Sequence, residues 1–314
     1  MMTPAEAVSP LKKWLIACRP WSFPASSMAV VFGTSLAVVF GGVRLDPFKF
    51  LLSLLTMVVL HAAANMLSDV FDFRRGLDKD VTPVSGAVVR GWLSPAAATR
   101  GAAALFAVGT ALGLALAAVT GWTLIVIGGI GIAIGASYTL LKYRALGDLA
   151  VFLNFGILGA LGAWVVQTKS FSWVPVVWTV PMSMLVIGIL HANNWRDAIS
   201  DTERKVKTVA SLLGDKGSKA YYGFLLFGSM AIIFGLMTVP RAFALKAPVL
   251  PWTFALVALA LPRALVLWGR ARRRFAPRRP LDFVILDGAT AQYNLFFGLL
   301  CTAAAWLAFV LKIG

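Results

Sequence analysis

The chain has 314 residues, of which 59% are hydrophobic and 13% are charged, and its mean hydropathy is +0.82. This composition excludes an ordinary soluble domain and indicates a polytopic membrane protein. A net charge of +16 would suggest nucleic acid as the partner of a soluble protein. In a membrane protein it instead indicates contact with anionic lipid headgroups or anionic substrates, and we expect no nucleic-acid partner.

Segments of roughly the length that spans a bilayer, about 17 to 25 residues, recur along the whole chain. They are 25–42, 50–68, 101–120, 121–141, 149–168, 170–195, 220–240, 247–269 and 288–311. The apolar stretch 101–141 is too long for one helix, so we divide it near Thr120 and Gly121. Arg263 interrupts the segment 247–269. The sequence therefore predicts an all-α bundle of nine transmembrane helices.

The distribution of basic residues predicts the orientation of this bundle. If the N-terminus is cytoplasmic, most of the 29 Lys and Arg residues fall in cytoplasmic segments, as the positive-inside rule requires. We therefore predict an integral protein of a bacterial cytoplasmic membrane. Its N-terminus and polar loops would be cytoplasmic, and its C-terminus would lie outside.

A first polar motif closes the apolar run 50–68. Asn65, Asp69 and Asp72 are spaced i, i+4 and i+7, so on an α-helix they fall within about 60° of one another. Carboxylates stacked on one face repel unless a positive charge lies between them, and a divalent cation would supply that charge. The polar stretch that follows contains Asp78.

A second polar motif closes the segment 170–195 and repeats this pattern. Asn193, Asp197 and Asp201 are stacked at i, i+4 and i+8. Asn65 and Asn193 are offset by the same number of residues as Asp69 and Asp197, which suggests a duplication. We predict one domain, 1–314, made of two four-helix repeats, about 20–145 and 146–270, and a ninth helix. The two carboxylate faces can then meet across a central cavity.

The donor types in the two motifs favour magnesium. The oxygens of Asp69, Asp72, Asp197 and Asp201, together with Asn65, are hard ligands, and no His or Cys joins them at metal-binding spacing. Magnesium binds few protein carboxylates and completes its coordination shell with water and phosphate. The cluster is therefore interpreted as a bridge to a phosphate group.

These motifs resemble those of the UbiA superfamily of intramembrane prenyltransferases. Within that superfamily, the first motif and the run from Asn193 to Asp197 are similar to the 1,4-dihydroxy-2-naphthoate polyprenyltransferases. Further similarities extend over nearly the whole chain, namely Arg19-Pro20, Tyr138-Thr139 through Gly147-Asp148, and Lys207-Thr208 with Gly214.

The resemblance implies a mechanism and roles for individual residues. Two Mg²⁺ ions would bind with a polyprenyl diphosphate, and the prenyl group would pass to an aromatic ring, with loss of carbon dioxide when the acceptor is dihydroxynaphthoate. Asn65 and the four aspartates would hold the metal and diphosphate, and Arg196, Lys205 and Lys207 would contact phosphate. Tyr138, Lys142 and Asp148 would contact diphosphate or acceptor, and Asn193, Asn194 and Asp78 would complete the substrate site.

Two other interpretations stay open at this point. A UbiA-type enzyme with a different acceptor, such as 4-hydroxybenzoate, homogentisate, a porphyrin or a polar alcohol, would carry similar motifs. A cation-coupled transporter would also place aspartates in its helices. Coupling ions usually bind near the bilayer midplane, however, whereas these aspartates lie at the cytoplasmic helix ends.

Overall fold

The computed structural model describes residues 8–76, 86–243, 248–273 and 286–313. The α-helices within these ranges are α1 (Pro10–Cys18), α2 (Pro24–Phe40), α3 (Pro47–Arg74), α4 (Pro95–Thr120), α5 (Trp122–Lys142), α6 (Gly147–Val151), α7 (Gly159–Thr168), α8 (Trp173–Trp178), α9 (Val180–Glu203), α10 (Val209–Ala242), α11 (Leu261–Arg272) and α12 (Leu286–Val310). The π-helical segment Phe152–Leu158 joins α6 to α7. Two 3-10 segments, Pro20–Ser22 and Trp252–Ala260, precede α2 and α11. The all-α prediction is therefore confirmed.

Local sequence signals explain where several helices begin and end. Asp46 caps α3 by accepting a hydrogen bond from the Lys49 amide, and Ser94 caps α4 in the same way. In both helices a proline follows the capping residue, where its missing N–H costs nothing. Gly121, at φ +122°, separates α4 from α5. The predicted division of 101–141 is thereby confirmed.

The prediction of nine membrane spans is not confirmed. In the described ranges, seven helical segments are long and apolar enough to cross a membrane, or eight if the bent pair Pro10–Ser22 and Pro24–Phe40 forms one span. The predicted span 170–195 is absent from this set. Its apolar part is divided between α8 and α9 at Thr179, and the C-terminal half of α9 carries the polar second motif.

The packing of the helices brings the two polar motifs together. The helix α3 packs along α4, and α9 packs along α10, while α12 lies against both α2 and α9. Buried aromatic side chains, including Phe32, Trp195, Tyr222 and Phe297, fill the core between α2, α9, α10 and α12. The polar ends of α3 and α9 thus face one central cavity.

Candidate functional site

The central cavity, of about 360 Å³, is lined by residues near the polar ends of several helices. Its polar lining includes Arg19, Ser22, His61, Asn65, Tyr138, Lys142, Asn193 and Asp287. The segment between α1 and α2 contributes to one side of it, and the ends of α3, α5, α9 and α12 contribute to the rest. The cavity therefore combines basic groups, one carboxylate and two amides.

Asp69, on α3, is buried and held by groups from two distant parts of the chain. Arg19 Nη2 lies 3.4 Å from its Oδ1 atom, and the Val88 amide donates to its Oδ2 at 3.0 Å. Gly86 passes so close that a Cβ atom there would lie 1.9 Å from Asp69 Oδ1. Only a residue without a side chain leaves room for the carboxylate in this position.

Asp72, one turn further along α3, receives hydrogen bonds from the end of α5. Tyr143 Oη donates to its Oδ1 at 2.8 Å, and Lys142 Nζ lies 3.5 Å from its Oδ2. Burial, and then the charge of Asp72, raise the pKa of Tyr143 well above its ordinary value. The Tyr143 hydroxyl therefore keeps its proton and acts as a donor to the carboxylate.

The second motif, on α9, is built around Arg196. Its guanidinium contacts both oxygens of Asp197, at 2.9 and 2.8 Å, and its Nη1 donates to Asp287 Oδ2 at 3.0 Å. Asn193 Nδ2 lies 3.4 Å from the same Asp287 oxygen. Asp201 is buried near the end of α9.

The structure separates the predicted site residues into two groups. Asn65, Tyr138, Lys142 and Asn193 line the cavity, and Asp69, Asp72 and Asp197 are bonded to the basic groups around it. The other predicted residues within the described ranges do not line the cavity. Asp148 is buried beside Tyr221, Asn194 is buried, Lys205 and Lys207 are exposed, and Asp78 lies outside the described residues.

Sequence patterns did not predict several residues that the structure places at the site. Gly86, Tyr143 and Asp287 carry no motif of their own, and the first two matter only through the aspartates that they contact. Asp287 did carry a signal, because it is a carboxylate in the first turn of an apolar helix, where a negative charge is favourable.

An apolar groove of about 290 Å³ adjoins the cavity. Ala64 and Phe155 line both spaces, so the groove and the cavity are neighbours at that point. The groove lies between α3, α4, α5 and the π-helical segment, and glycines on α4 and α5, including Gly128 and Gly131, keep it open. Asn154 supplies one of its few polar side chains.

The residues present fit magnesium held together with a phosphate ligand, and they do not fit a closed metal cage. Within the described ranges, no three His, Cys, Asp or Glu side chains converge on one point. The aspartates face Arg19, Lys142 and Arg196 instead. A site with all-oxygen donors, few carboxylates per ion and basic groups alongside suits a cation whose remaining ligands are water and phosphate.

Comparisons with known proteins find similar sequences over most of the chain. The model of the UbiA prenyltransferase family matches residues 27–286. A 1,4-dihydroxy-2-naphthoate octaprenyltransferase of Bacillus subtilis (strain 168) is 30% identical over 93% of this chain and 91% of its own length. The human UbiA prenyltransferase domain-containing protein 1 is 31% identical over 91% of this chain and 81% of its own.

Solved structures of low sequence identity share the fold. A UbiA homolog from Archaeoglobus fulgidus bound to DMAPP and Mg²⁺ aligns over 93% of this chain and 99% of its own, with a TM-score of 0.62 and 14% identity. The apo structure of a UbiA homolog from Aeropyrum pernix K1 aligns over 90% and 97%, with a TM-score of 0.64 and 19% identity.

Proposed function

Because the chain belongs to the UbiA prenyltransferase family, and is thus a prenyltransferase and an integral membrane protein, we propose that it transfers a polyprenyl group from a prenyl diphosphate to 1,4-dihydroxy-2-naphthoate. The observation that carries this proposal is that both motifs reach one cavity, through Asn65 and Asn193. Arg19 and Lys142, which also line this cavity, pair with aspartates of the first motif. Such a site offers both anionic and cationic groups to a metal-bound diphosphate.

Charge explains why a divalent cation is needed. A prenyl diphosphate brings about three negative charges, and aspartates at moderate dielectric would repel it by several kcal/mol. Magnesium, which we propose binds as two ions, would offset this repulsion and stabilise the charge that develops on the leaving diphosphate. Asn65, Asp69, Asp72, Asp197 and Asp201 would hold the metal.

The basic residues around the cavity would act on the diphosphate itself. Arg19, Lys142 and Arg196 bind aspartates in the structure, and each can exchange that carboxylate for a phosphate oxygen as the substrate enters. Their charge would draw the diphosphate to one end of the cavity and orient the allylic carbon toward the acceptor. Lys205 and Lys207, which are exposed, would contact phosphate only on its way in.

The apolar groove is the proposed site of the prenyl chain. It meets the cavity at Ala64 and Phe155, so a chain lying in it would present its diphosphate end to the polar groups. A prenyl chain enters the groove from lipid that is equally apolar, so van der Waals packing against the groove walls would favour its binding.

The reaction joins the first carbon of the prenyl group to the carbon of the naphthoate ring that bears the carboxylate. The allylic C–O bond breaks and diphosphate leaves with its electron pair. The ring then attacks the allylic cation, and carbon dioxide departs while the electrons of its bond return to the ring. The product would be a demethylmenaquinone in its reduced form. The naphthoate acceptor rests on the name of the similar Bacillus subtilis protein.

The remaining features of the proposal concern the membrane. We propose nine spans in a bacterial cytoplasmic membrane, arranged as two four-helix repeats and a ninth helix, with the active-site end facing the cytoplasm.

The second candidate function is transfer to another acceptor, because the animal relatives are named only for their UbiA domain. Because the chain belongs to a prenyltransferase family, no observation supports the alternative of a cation-coupled transporter.

The test is a transfer assay on the purified protein in lipid nanodiscs. With Mg²⁺, radiolabelled geranylgeranyl diphosphate and dihydroxynaphthoate, we expect a prenylated product that lacks the carboxylate, identified by mass spectrometry. Asp69→Ala and Asp197→Ala should abolish its formation, and a chelator should do the same. A product that keeps the carboxylate, or one formed only from another ring, would replace the naphthoate proposal.

A further inference from the structure

A chain of hydrogen bonds joins the buried imidazole of His61 to the amide of Asn65, one turn further along α3. His61 Nε2 lies 3.3 Å from Ser22 Oγ, and Nδ1 lies 2.8 Å from Ser26 Oγ. Ser22 Oγ also accepts a hydrogen bond of 2.9 Å from Asn65 Nδ2. Since His61, Ser22 and Asn65 line the central cavity, this network forms part of its wall.

Two hydrogen-bond patterns satisfy this network, and they differ in the tautomer of His61. In one, the Ser22 hydroxyl donates to the Arg19 carbonyl oxygen at 2.8 Å, Nε2 donates to Ser22, and Nδ1 accepts from Ser26. In the other, Nδ1 donates to Ser26, the Ser26 hydroxyl donates to the Phe23 carbonyl oxygen at 3.3 Å, and Ser22 donates to Nε2. In both patterns the Ser22 proton is used elsewhere, so Ser22 Oγ accepts from Asn65. Both ring nitrogens are engaged within the protein, which leaves neither of them to remove a proton from a substrate.

The same accounting fixes the orientation of the Asn65 amide. One of its protons goes to Ser22, and the other goes to the Cys18 carbonyl oxygen at 3.0 Å. A flipped amide would place Asn65 Oδ1 against two acceptors. With both N–H groups used, the atom that Asn65 offers to a ligand is its carbonyl oxygen, which suits a hard cation and does not suit a phosphate oxygen.

A ring stack holds one end of this network, and a hydrogen bond to α1 holds the other. The His61 ring is 4% exposed and stacks on Phe155, with ring centroids 4.2 Å apart and an interplanar angle of 30°. Cys18 is the last residue of α1, so its carbonyl is one that the helix leaves without an internal partner. Asn65 supplies that partner and thereby ties α1 to α3.

We propose that His61 and Ser22 are positioning residues that fix the Asn65 amide with its carbonyl oxygen directed to the metal and diphosphate. Ser22 orients the amide directly, and His61 orients Ser22. This inference rests on the proposed function, because it deepens the role of Asn65 in the same site. It also assigns to His61 a positioning role that acts through Ser22.

The experiment measures metal binding separately from turnover. Purified protein in nanodiscs is titrated with Mn²⁺ in the presence of a non-hydrolysable prenyl thiodiphosphate, and bound Mn²⁺ is followed by electron paramagnetic resonance. Loss of a group that orients a metal ligand typically weakens metal binding by about 10-fold or more. We expect about that loss for Ser22→Ala and a smaller one for His61→Phe, which keeps the aromatic stack on Phe155.

A matched control is available on α10. Ser229 is fully buried, and its hydroxyl donates to Leu226 O within its own helix. Ser229→Ala therefore removes a buried serine hydroxyl without touching the cavity, and it should bind Mn²⁺ as the wild type does. The KM for the acceptor, measured in the transfer assay, should stay within about twofold of the wild type in all three variants, because the network affects the metal.

A double substitution separates positioning from general damage. An aspartate in place of Asn65 has no N–H group to be oriented. In an Asn65→Asp background, Ser22→Ala should therefore cause no further loss of Mn²⁺ binding. Equal binding by Ser22→Ala and Ser229→Ala, or a further loss in the Asn65→Asp background, would overturn the inference.

These outcomes are distinguishable from failure of the proposed function. If the wild type transfers prenyl groups but Ser22→Ala binds Mn²⁺ normally, only the positioning role is wrong. If the wild type forms no product with any acceptor while Ser22→Ala still loses Mn²⁺, the proposed function is wrong and the positioning role stands.

Discussion

Arg196 on α9 and Asp287 at the start of α12 form an ion pair of 3.0 Å that links the second aspartate motif to the last helix. Both side chains are largely shielded from solvent, with 9% and 16% exposed. Arg196 also contacts both oxygens of Asp197, so one guanidinium serves two carboxylates. The ion pair with Asp287 therefore restricts the positions in which the guanidinium of Arg196 can contact Asp197 and a bound diphosphate.

The first prediction concerns this pair. Asp287→Asn should raise the KM for prenyl diphosphate, because Arg196 loses one of the two carboxylates that orient it. Groups that share an ion-pair network are coupled by about 0.5 to 3 kcal/mol. In a double-mutant cycle with Arg196→Gln, we expect a coupling free energy of about 1 kcal/mol, obtained from kcat/KM.

Asp46 supplies the control for this cycle. It pairs with Lys49 at the opposite end of α3, and Asp46→Asn keeps an oxygen that can cap the helix. Its effect should add to that of Arg196→Gln without coupling. If Asp287→Asn were also additive, the proposed influence of Asp287 on Arg196 would be wrong.

The sequence predicted those features that depend on neighbours in the chain. Helical periodicity alone predicts that Asn65, Asp69 and Asp72 lie on one face of α3. The partners Arg19, Val88 and Asp287 come from distant segments, and only the packing of the folded chain brings them to the motifs.

Two further differences concern the predicted span 170–195 and Arg263. The predicted span 170–195 is broken at Thr179, and a hydropathy window does not detect the break. Arg263 had no predicted partner, whereas in the structure its guanidinium lies 3.8 Å from the centroid of the Phe296 ring. Such a contact between a cation and an aromatic face requires that α11 and α12 be adjacent.

The second prediction concerns the space that Gly86 leaves for Asp69. In Gly86→Ala, the new Cβ atom would overlap the carboxylate, so Asp69 must turn away from the Val88 amide and from Arg19. We expect kcat/KM to fall by at least about 10-fold, as is common when a catalytic group is displaced by about 1 Å. Gly235→Ala, where no atom lies within 4 Å of the added methyl, should leave activity unchanged.

The third prediction concerns the hydroxyl that Tyr143 donates to Asp72. A hydrogen bond to a charged group contributes about 1.5 to 3 kcal/mol, so Tyr143→Phe should lower kcat/KM by about 10-fold or more. The aromatic ring and its contact with Arg75 would be kept. Tyr293→Phe is the matched control, because the Tyr293 hydroxyl is buried without a hydrogen-bond partner among the described residues. Equal activity of the two variants would contradict a role for the Tyr143 hydroxyl.

The last prediction tests the groove as the site of the prenyl chain. Gly128 lines the groove and has no atom within 4 Å of an added Cβ, so Gly128→Leu would place a branched side chain in the open space. A short chain, such as that of geranyl diphosphate, would end before the obstruction, whereas an octaprenyl chain would meet it. We therefore expect the ratio of octaprenyl to geranyl kcat/KM to fall by about 10-fold, because extra side-chain volume in a packed space costs about 1 to 3 kcal/mol.

Gly235→Leu is the control for the length effect. Gly235 is half-buried on α10, again with no atom within 4 Å of an added Cβ, and it does not line the groove. This substitution adds the same side chain to a membrane helix but should leave the ratio of the two substrates unchanged. An equal loss of activity with both chain lengths in Gly128→Leu would mean that the prenyl chain does not lie between α4 and α5.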